Sequence, residues 1–215
     1  MISALTAVPL LVLAGPAQAA TTVASWNMGD SGSTMADSSG RGHTGTLHHV
    51  AVQQTGNSGK GFGFSGKPSY VSVPASSDFT PGTGNVRFAL SVRFTARPSS
   101  SVGDYDLMRM GLSTTSGGDY KMEILQSGKA YCEFRGSSGV GGVSGGPVLS
   151  DGRWHTIACA RTASSVVLTV DGTSYTTAKK TGSITSAVTV YIGAKDGSGA
   201  DQYTGLMDSV SISKG

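Results

Sequence analysis

The sequence holds only two glutamates, Glu123 and Glu133. Paired carboxylates of this kind hydrolyse glycosidic bonds in retaining enzymes when they lie about 5 to 5.5 Å apart. Both occur in DYKMEILQSGKAYCEFR, whose alternating polarity is typical of a β-hairpin. A two-residue loop at Ser127-Gly128 predicts that Glu123 lies opposite Cys132. Because neighbouring positions of a strand point to opposite faces, this register separates the two carboxylates and argues against hydrolysis.

The same segment contains side chains suited to sugar recognition. Sugar rings present apolar faces flanked by hydroxyl groups, and aromatic side chains beside planar polar groups can bind both. The assumed register places Tyr120 on the face that carries Glu133 and Arg135. We therefore predict a ligand site formed by Tyr105, Tyr120, Tyr131, Glu133 and Arg135. The alternative is an ordinary solvated face whose tyrosines bridge the strands.

The first residues have the features of an export signal. Residues 1–19, MISALTAVPLLVLAGPAQA, carry no charge and end in small residues, which predicts cleavage after Ala19. The remaining residues 20–215 are expected to form one secreted domain. In an exported chain, Cys132 and Cys159 are expected to form a disulfide, with a reactive thiol as the alternative.

The charge pattern excludes several partner classes. The chain has 16 Lys and Arg residues against 13 Asp and Glu residues, and the cations are scattered singly. No basic cluster for nucleic acid or for a membrane surface is visible. We expect no nucleic-acid partner, no membrane insertion and a monomer.

Period-two alternation positions these candidate residues. In RFALSVRF the apolar residues occupy every second position, from Phe88 to Phe94, which predicts a strand with one buried face. In VVLTVDGTSYTT the Asp171-Gly172 pair predicts a tight hairpin that joins Val170 to Thr173. Similar runs predict strands near 23–27, 70–73, 105–112, 119–126, 130–135, 155–160, 166–170, 174–178, 188–193 and 206–212. Almost no helix is expected, and the spacing predicts an all-β antiparallel sandwich.

Five motifs then occur in a familiar order: ASWNMGD with MADSSGRGHTGTL, GFGFSGKPSYVSVP, DGRWHTIACAR with VVLTVDG, VTVYIGA and YTGLMDSVSIS. The sequence resembles secreted bacterial laminin-G-like domains of the concanavalin A-like lectin/glucanase superfamily. The resemblance implies a jelly-roll sandwich of two curved antiparallel sheets that often binds calcium, glycans or proteins. It also implies that Trp154 is a core aromatic. His155 would then point to the opposite face in an architectural role.

The resemblance favours a calcium site. In GLMDSVSIS, alternation places Asp208 on the face of Leu206, Val210 and Ile212, where a carboxylate needs a cation or several donors. The alternative is that Asp208 lies at the solvent-facing end of its strand or pairs with an arginine. The predicted ligands are Asp37, Asp208 and Asn27, with Asp30 as a further candidate and loop carbonyls completing the shell.

These observations predict a secreted carbohydrate-binding module that recognises an extracellular polysaccharide or glycan without catalysis. The first alternative is a glycoside hydrolase or polysaccharide lyase, and an Asp-Glu pair that uses Asp104, Asp106 or Asp119 stays open. The second alternative is a protein-protein adhesion module.

Overall fold

The computed structural model describes residues 20–66 and 68–215. The predicted signal peptide, residues 1–19, lies outside the described residues. Within them the chain forms sixteen β-strands and a single 3-10 turn, Ser77–Phe79. No helix in this part of the chain is long and apolar enough to span a bilayer. The expectation of an all-β protein is confirmed.

The strands form two sheets in which all paired strands are antiparallel. The first sheet has the order β14 (Thr173–Ala178), β13 (Ser165–Val170), β12 (His155–Arg161), β7 (Val86–Arg93), β16 (Thr204–Lys214), β5 (Lys60–Ser65) and β4 (Ala51–Thr55), and β1 (Thr21–Trp26) also pairs with β16. The second sheet has the order β11 (Gly139–Gly145), β10 (Ala130–Gly136), β9 (Asp119–Ile124), β8 (Tyr105–Met110), β15 (Val190–Ile192), β6 (Tyr70–Val73), β3 (Gly45–His48) and β2 (Thr34–Met35).

The apolar positions of both sheets meet in one core. The alternating residues of β7 behave as the sequence predicts, since Phe88 and Val92 are fully buried while Arg87 is exposed. The predicted disulfide is present between Cys132 in β10 and Cys159 in β12, with Cα atoms 5.6 Å apart. It therefore joins the second sheet to the first through the core.

The two predicted hairpins have different outcomes. The hairpin of β13 and β14 is confirmed: Val170 pairs with Thr173, and both turn residues have positive φ. The register predicted for β9 and β10 is wrong by one residue. The Gly128 N–H donates to the Leu125 carbonyl and the Leu125 N–H donates to the Lys129 carbonyl, so the loop has three residues. Gly128 has φ 80°, as expected for the last residue of such a loop.

The corrected register changes the β9 partner of every paired residue in β10. Glu123 pairs with Tyr131, and Glu133 pairs with Lys121. Directly paired residues share a face, and so do residues two positions apart. Glu123 and Glu133 therefore lie on the same face of the second sheet, and the prediction that separated them is wrong.

A bulge in β16 overturns the predicted orientation of Asp208. Ser209 has φ 56°, and the pairing of β16 with β7 shifts between Asp208 and Ser211. The extra residue brings Met207 into the core with Val210, while Asp208 lies opposite Ser91, on the side away from the core.

The orientations predicted for Trp154 and His155 are also reversed. Trp154 precedes β12 and is half-buried, whereas His155 pairs with the core residue Val92 and is 8% exposed. The His155 ring is held at both nitrogens: Nδ1 lies 2.7 Å from Asp171 Oδ2, and Nε2 lies 3.0 Å from Asp151 Oδ1. These bonds join the β13–β14 turn to the loop before β12, which agrees with an architectural role.

Candidate functional site

The pairing of the second sheet aligns six polar side chains and one glycine in a row across its strands. One residue from each of seven strands pairs with the next, in the order Gly142, Glu133, Lys121, Arg109, Tyr191, Ser72 and Thr46. Their chain neighbours, such as Met122 and Val190, are buried in the core. The row therefore lies on the face of the sheet that points away from the core.

The charges concentrate on the outward positions of β8, β9 and β10. We call this surface the charged face, and it consists of Asp106, Arg109, Asp119, Lys121, Glu123, Tyr131, Glu133 and Arg135. Most of these side chains are shielded from solvent by one another, with Glu123 3% exposed and Arg109 4% exposed. Charged groups with so little exposure must be paired, because an isolated buried charge is costly.

One half of the charged face is a square of four charges. Lys121 pairs directly with Arg109, and Glu123 pairs directly with Asp106, so like charges are neighbours across the strands. Ion pairs along the strands compensate: Lys121 Nζ lies 2.6 Å from Glu123 Oε1, and Arg109 Nη1 lies 2.9 Å from Asp106 Oδ2. Arg109 also approaches Glu123 at 3.8 Å. The pairing removes the repulsion that the register alone would create.

The other half is organised around Glu133. The Tyr131 hydroxyl donates to Glu133 Oε2 at 2.6 Å, and Arg135 Nη2 donates to Glu133 Oε1 at 3.4 Å. Arg135 Nε lies 3.0 Å from Asp119 Oδ1, so one guanidinium joins two carboxylates. These contacts fix the ring, the carboxylate and the guanidinium relative to one another before any ligand arrives.

Burial shifts the proton affinities on this face. Burial raises the pKa of the Asp106 carboxyl well above its ordinary value, and the Arg109 guanidinium only partly opposes this. Burial likewise raises the pKa of Asp119 against the opposing effect of Arg135. Burial and the hydrogen bond to Glu133 raise the pKa of Tyr131, so its hydroxyl stays protonated at neutral pH and acts as a donor.

Two cavities lie at one end of the charged face. One has a volume of about 320 Å³ and is lined by Arg135, and the other has a volume of about 290 Å³ and is lined by Tyr191 and Lys195. Both are bordered by Thr115 in the loop between β8 and β9. Their size is near the lower end of the range for small-molecule sites, about 300 Å³.

Aromatic rings continue the outward surface beyond the charges. The His48 ring stacks on Tyr70 with centroids 4.3 Å apart, and Tyr70 meets the edge of Tyr191 at 5.8 Å. His48 pairs with Tyr70 in the sheet, and Tyr191 pairs with Arg109. The outward surface of the second sheet thus combines rings with fixed polar groups, the two features that sugar recognition requires.

The structure brings together three of the five predicted ligand residues, Tyr131, Glu133 and Arg135. The other two point into the core: the register error misplaced Tyr120, whereas Tyr105 was predicted to extend the site from the neighbouring strand. Tyr105 packs against Phe94 and Tyr203, and it is 5% exposed. Tyr120 is fully buried against Phe88 and Phe134, and its hydroxyl donates to the Phe79 carbonyl. Neither side chain can contact a ligand on the charged face.

Sequence reasoning missed Lys121, Arg109 and Tyr191. A three-residue loop at Gln126-Ser127-Gly128 would have placed Lys121 beside Glu133, and this was the signal available in the sequence. Arg109 joins the site through the pairing of β8 with β9, whose register shifts between Asp106 and Met108. Tyr191 joins it through the pairing of β15 with β8, which are distant in the chain. No local pattern specifies such pairings.

The two carboxylates predicted to bind calcium accept hydrogen bonds from other groups of the protein. Asp37 accepts the backbone N–H groups of Ser25, Ser39 and His43 and the Ser39 hydroxyl. Asp208 accepts the Ser58 N–H at 2.9 Å and the Ser209 hydroxyl at 3.1 Å.

Asn27, the third predicted ligand, is exposed. Across residues 20–66 and 68–215, no three His, Cys, Asp or Glu side chains form a group that could hold a metal ion. Hydrogen bonds from the protein reach both carboxylates in this arrangement, and calcium binding by Asp37, Asp208 and Asn27 stays a prediction.

Known protein families and solved structures share this architecture. Residues 65–215 match the laminin G family model described as the concanavalin A-like lectin/glucanases superfamily. No curated protein sequence matches the chain significantly.

Among solved structures, the chain resembles the binding domain of Paraclostridial Mosquitocidal Protein 1, with a TM-score of 0.69, 15% identity, and 89% of this chain and 48% of that chain covered. It resembles mouse laminin alpha1 domains LG4-5, with a TM-score of 0.56, 19% identity, and 71% of this chain and 42% of that chain covered. It therefore spans about half the length of these two structures.

A third structure matches over nearly its full length. This is domain 4 of the extracellular arabinanase AbnA from Geobacillus stearothermophilus, in complex with arabinotriose, with a TM-score of 0.67 and 16% identity. The match covers 91% of this chain and 93% of that domain. The family match, together with the two-sheet architecture, shows that the chain belongs to the laminin G family within the concanavalin A-like lectin/glucanases superfamily.

Proposed function

We propose that the protein is a secreted carbohydrate-binding module that recognises an extracellular polysaccharide or other glycan through the charged face. The observation that carries this proposal is the fixed group of Tyr131, Glu133 and Arg135 on the outward surface of the second sheet. Its ring offers a surface to the apolar side of a sugar, and its carboxylate and guanidinium offer an acceptor and donors to the hydroxyls.

Two further features support the proposal. The polar groups are held in place by one another, so binding a ligand would immobilise few additional side chains. The similar structure of Paraclostridial Mosquitocidal Protein 1 is described as a binding domain, and domain 4 of the arabinanase was obtained with arabinotriose bound. These likenesses concern the fold, and they make a binding role the first one to test.

Binding to an array of polysaccharides and oligosaccharides, followed by calorimetry, tests the proposal. We expect the protein to bind at least one carbohydrate, and we expect Arg135→Ala and Glu133→Gln each to weaken this binding about tenfold or more. Arg87→Ala is the matched control, because Arg87 is an exposed arginine on the outward face of the first sheet. Absence of any carbohydrate binding, or equal losses in Arg135→Ala and Arg87→Ala, would contradict the proposal.

A glycoside hydrolase is the second candidate, and the corrected register favours it. Glu123 and Glu133 are diagonal neighbours on one face, and the Cα atoms of such neighbours lie about 7 to 8 Å apart. Glycosidases require a pair of carboxyl groups on one face of the substrate cleft, and the corrected register supplies such a pair. Release of reducing ends from a polysaccharide, with turnover abolished by Glu133→Gln, would establish hydrolysis in place of simple binding.

A further inference from the structure

Gly142, in the middle of β11, lies against the ring of Tyr131. A Cβ atom on residue 142 would lie 2.8 Å from Tyr131 Cζ and 3.0 Å from Cε2, and it would meet the hydroxyl oxygen even more closely. Carbon atoms do not approach this closely in folded proteins. The phenol ring therefore occupies the space that any side chain at position 142 would need.

The backbone gives no other reason for a glycine at this position. Gly142 is not among the glycines with positive φ, so its conformation is open to any residue. It pairs with Glu133 in an unbroken ladder between β10 and β11. A glycine within a strand weakens the strand, and it commonly marks the close approach of another group. Here that group is the Tyr131 ring.

The space at Gly142 determines how Tyr131 is held. The ring lies along the sheet with its hydroxyl at Glu133, the direct partner of Gly142, and the Lys121 ammonium lies 5.5 Å from the ring centroid. A side chain at position 142 would push the phenol away from the sheet and break its hydrogen bond to Glu133. The surface beside β11 would then carry a raised ring instead of a shallow floor.

The charges around this floor restrict what it can bind. Each of the three cations on the charged face has a carboxylate within 4 Å: Arg135 has Asp119 and Glu133, Arg109 has Asp106 and Glu123, and Lys121 has Glu123. An anionic sugar would meet cations that internal carboxylates already neutralise. An uncharged sugar needs only hydrogen bonds and contact with the ring.

We propose that Gly142 is a specificity-determining position of this site: by letting Tyr131 lie along the sheet, it creates a shallow floor that accepts uncharged sugar rings. The inference rests on the proposed carbohydrate-binding function and names the ligand class and the residue that selects it. Gly142 is a positioning residue, because it acts through Tyr131 without supplying a polar group of its own.

Calorimetry with uncharged arabinan, xylan, glucan and mannan fragments, and with oligogalacturonate and sialyllactose as anionic probes, tests the inference. We expect the wild-type protein to bind an uncharged fragment in preference to the anionic probes. We expect Gly142→Ala to weaken that binding about tenfold, which corresponds to about 1.4 kcal/mol. Gly63→Ala in β5 is the matched control, because a Cβ at that strand glycine would have its nearest contact at 3.2 Å.

A double-mutant cycle separates positioning from a general structural effect. Because Gly142 acts through the ring, Gly142→Ala in a Tyr131→Ala background should cause no further loss of affinity. The double variant also removes the steric conflict, so it should fold even if Gly142→Ala alone does not.

Wild-type affinity in Gly142→Ala, an added loss in the double variant, or preference for the anionic probes would overturn the inference while leaving carbohydrate binding intact. Failure of the wild-type protein to bind any of the probes or any carbohydrate on the array would overturn both proposals.

Discussion

Asp37 accepts four hydrogen bonds, and its replacement by asparagine should destabilise the protein at neutral pH but not at pH 2. Burial alone would raise the pKa of this carboxyl, but the N–H groups of Ser25, Ser39 and His43 and the Ser39 hydroxyl outweigh it and lower the pKa from 3.8 to about 2. An amide has one acceptor oxygen and two donor hydrogens, so it cannot replace the carboxylate.

The magnitude follows from this pKa. A change from 3.8 to about 2 corresponds to about 2.4 kcal/mol at 1.36 kcal/mol per pKa unit. Asp37 is partly exposed, and solvent screening reduces the expected effect to about 1 to 2 kcal/mol. Because the folded-state pKa is depressed, this stabilisation is present above pH 3.8 and is lost as the pH falls towards 2.

Urea denaturation of the wild-type protein and of Asp37→Asn, at several pH values between 2 and 7, measures the effect. The difference in unfolding free energy should be about 1 to 2 kcal/mol at pH 6 and should approach zero at pH 2. A difference that does not change with pH would refute the hydrogen-bonding explanation. A fall in melting temperature on chelation, abolished by Asp37→Asn, would assign the carboxylate to calcium instead.

Two further predictions concern His155 and the disulfide. Burial alone would lower the pKa of His155, but its bonds to Asp171 and Asp151 outweigh burial and raise the pKa above 6.5. The stabilisation from these bonds is therefore fully present below pH 6.5 and is lost as the pH rises through the folded-state pKa. The melting temperatures of the wild-type protein and of His155→Gln should differ more at pH 5.5 than at pH 9, and an equal difference would contradict the double ion pair. Replacing Cys132 and Cys159 with serine should lower the unfolding free energy by about 3 to 4 kcal/mol, because the disulfide closes a long loop. Urea titration measures this difference, and a loss below about 1 kcal/mol would argue against the loop constraint.

The sequence was most informative where alternation is regular. The strand that contains Phe88 and Val92 has one apolar face, and burial of that face fixes its orientation. The Asp171-Gly172 turn was equally reliable, because two successive positive φ angles are characteristic of that turn type. In these places local chemistry and tertiary packing favour the same structure.

Sequence reasoning failed where several local structures are equally compatible with the residues. The loop around Gly128 can hold two or three residues, and the choice changes every partner along β10. The bulge at Ser209 changes the alternation of β16 without any sequence signal such as glycine. Strands β2, β3, β4, β5 and β11 were not predicted, and in β5 and β11 the glycines remove the pattern of side chains that marks a strand.

The same errors misassigned residues of the candidate site. Tyr120 was assigned to the surface by the wrong register, and Lys121 was overlooked for the same reason. Tyr191 depends on the pairing of β8 with β15, which are about eighty residues apart in the chain. Only the assembled sheet brings these groups together.

The bond between Cys132 and Cys159 also controls orientation. Cys132 stands between Tyr131 and Glu133 in β10, and its sulfur must point inward to reach β12. Sliding β10 by one residue would turn both neighbours towards the core, and the covalent tether forbids this slip. Disulfide formation during folding thus fixes the register of β10 and keeps the Tyr131 ring and the Glu133 carboxylate on the outer face of the sheet.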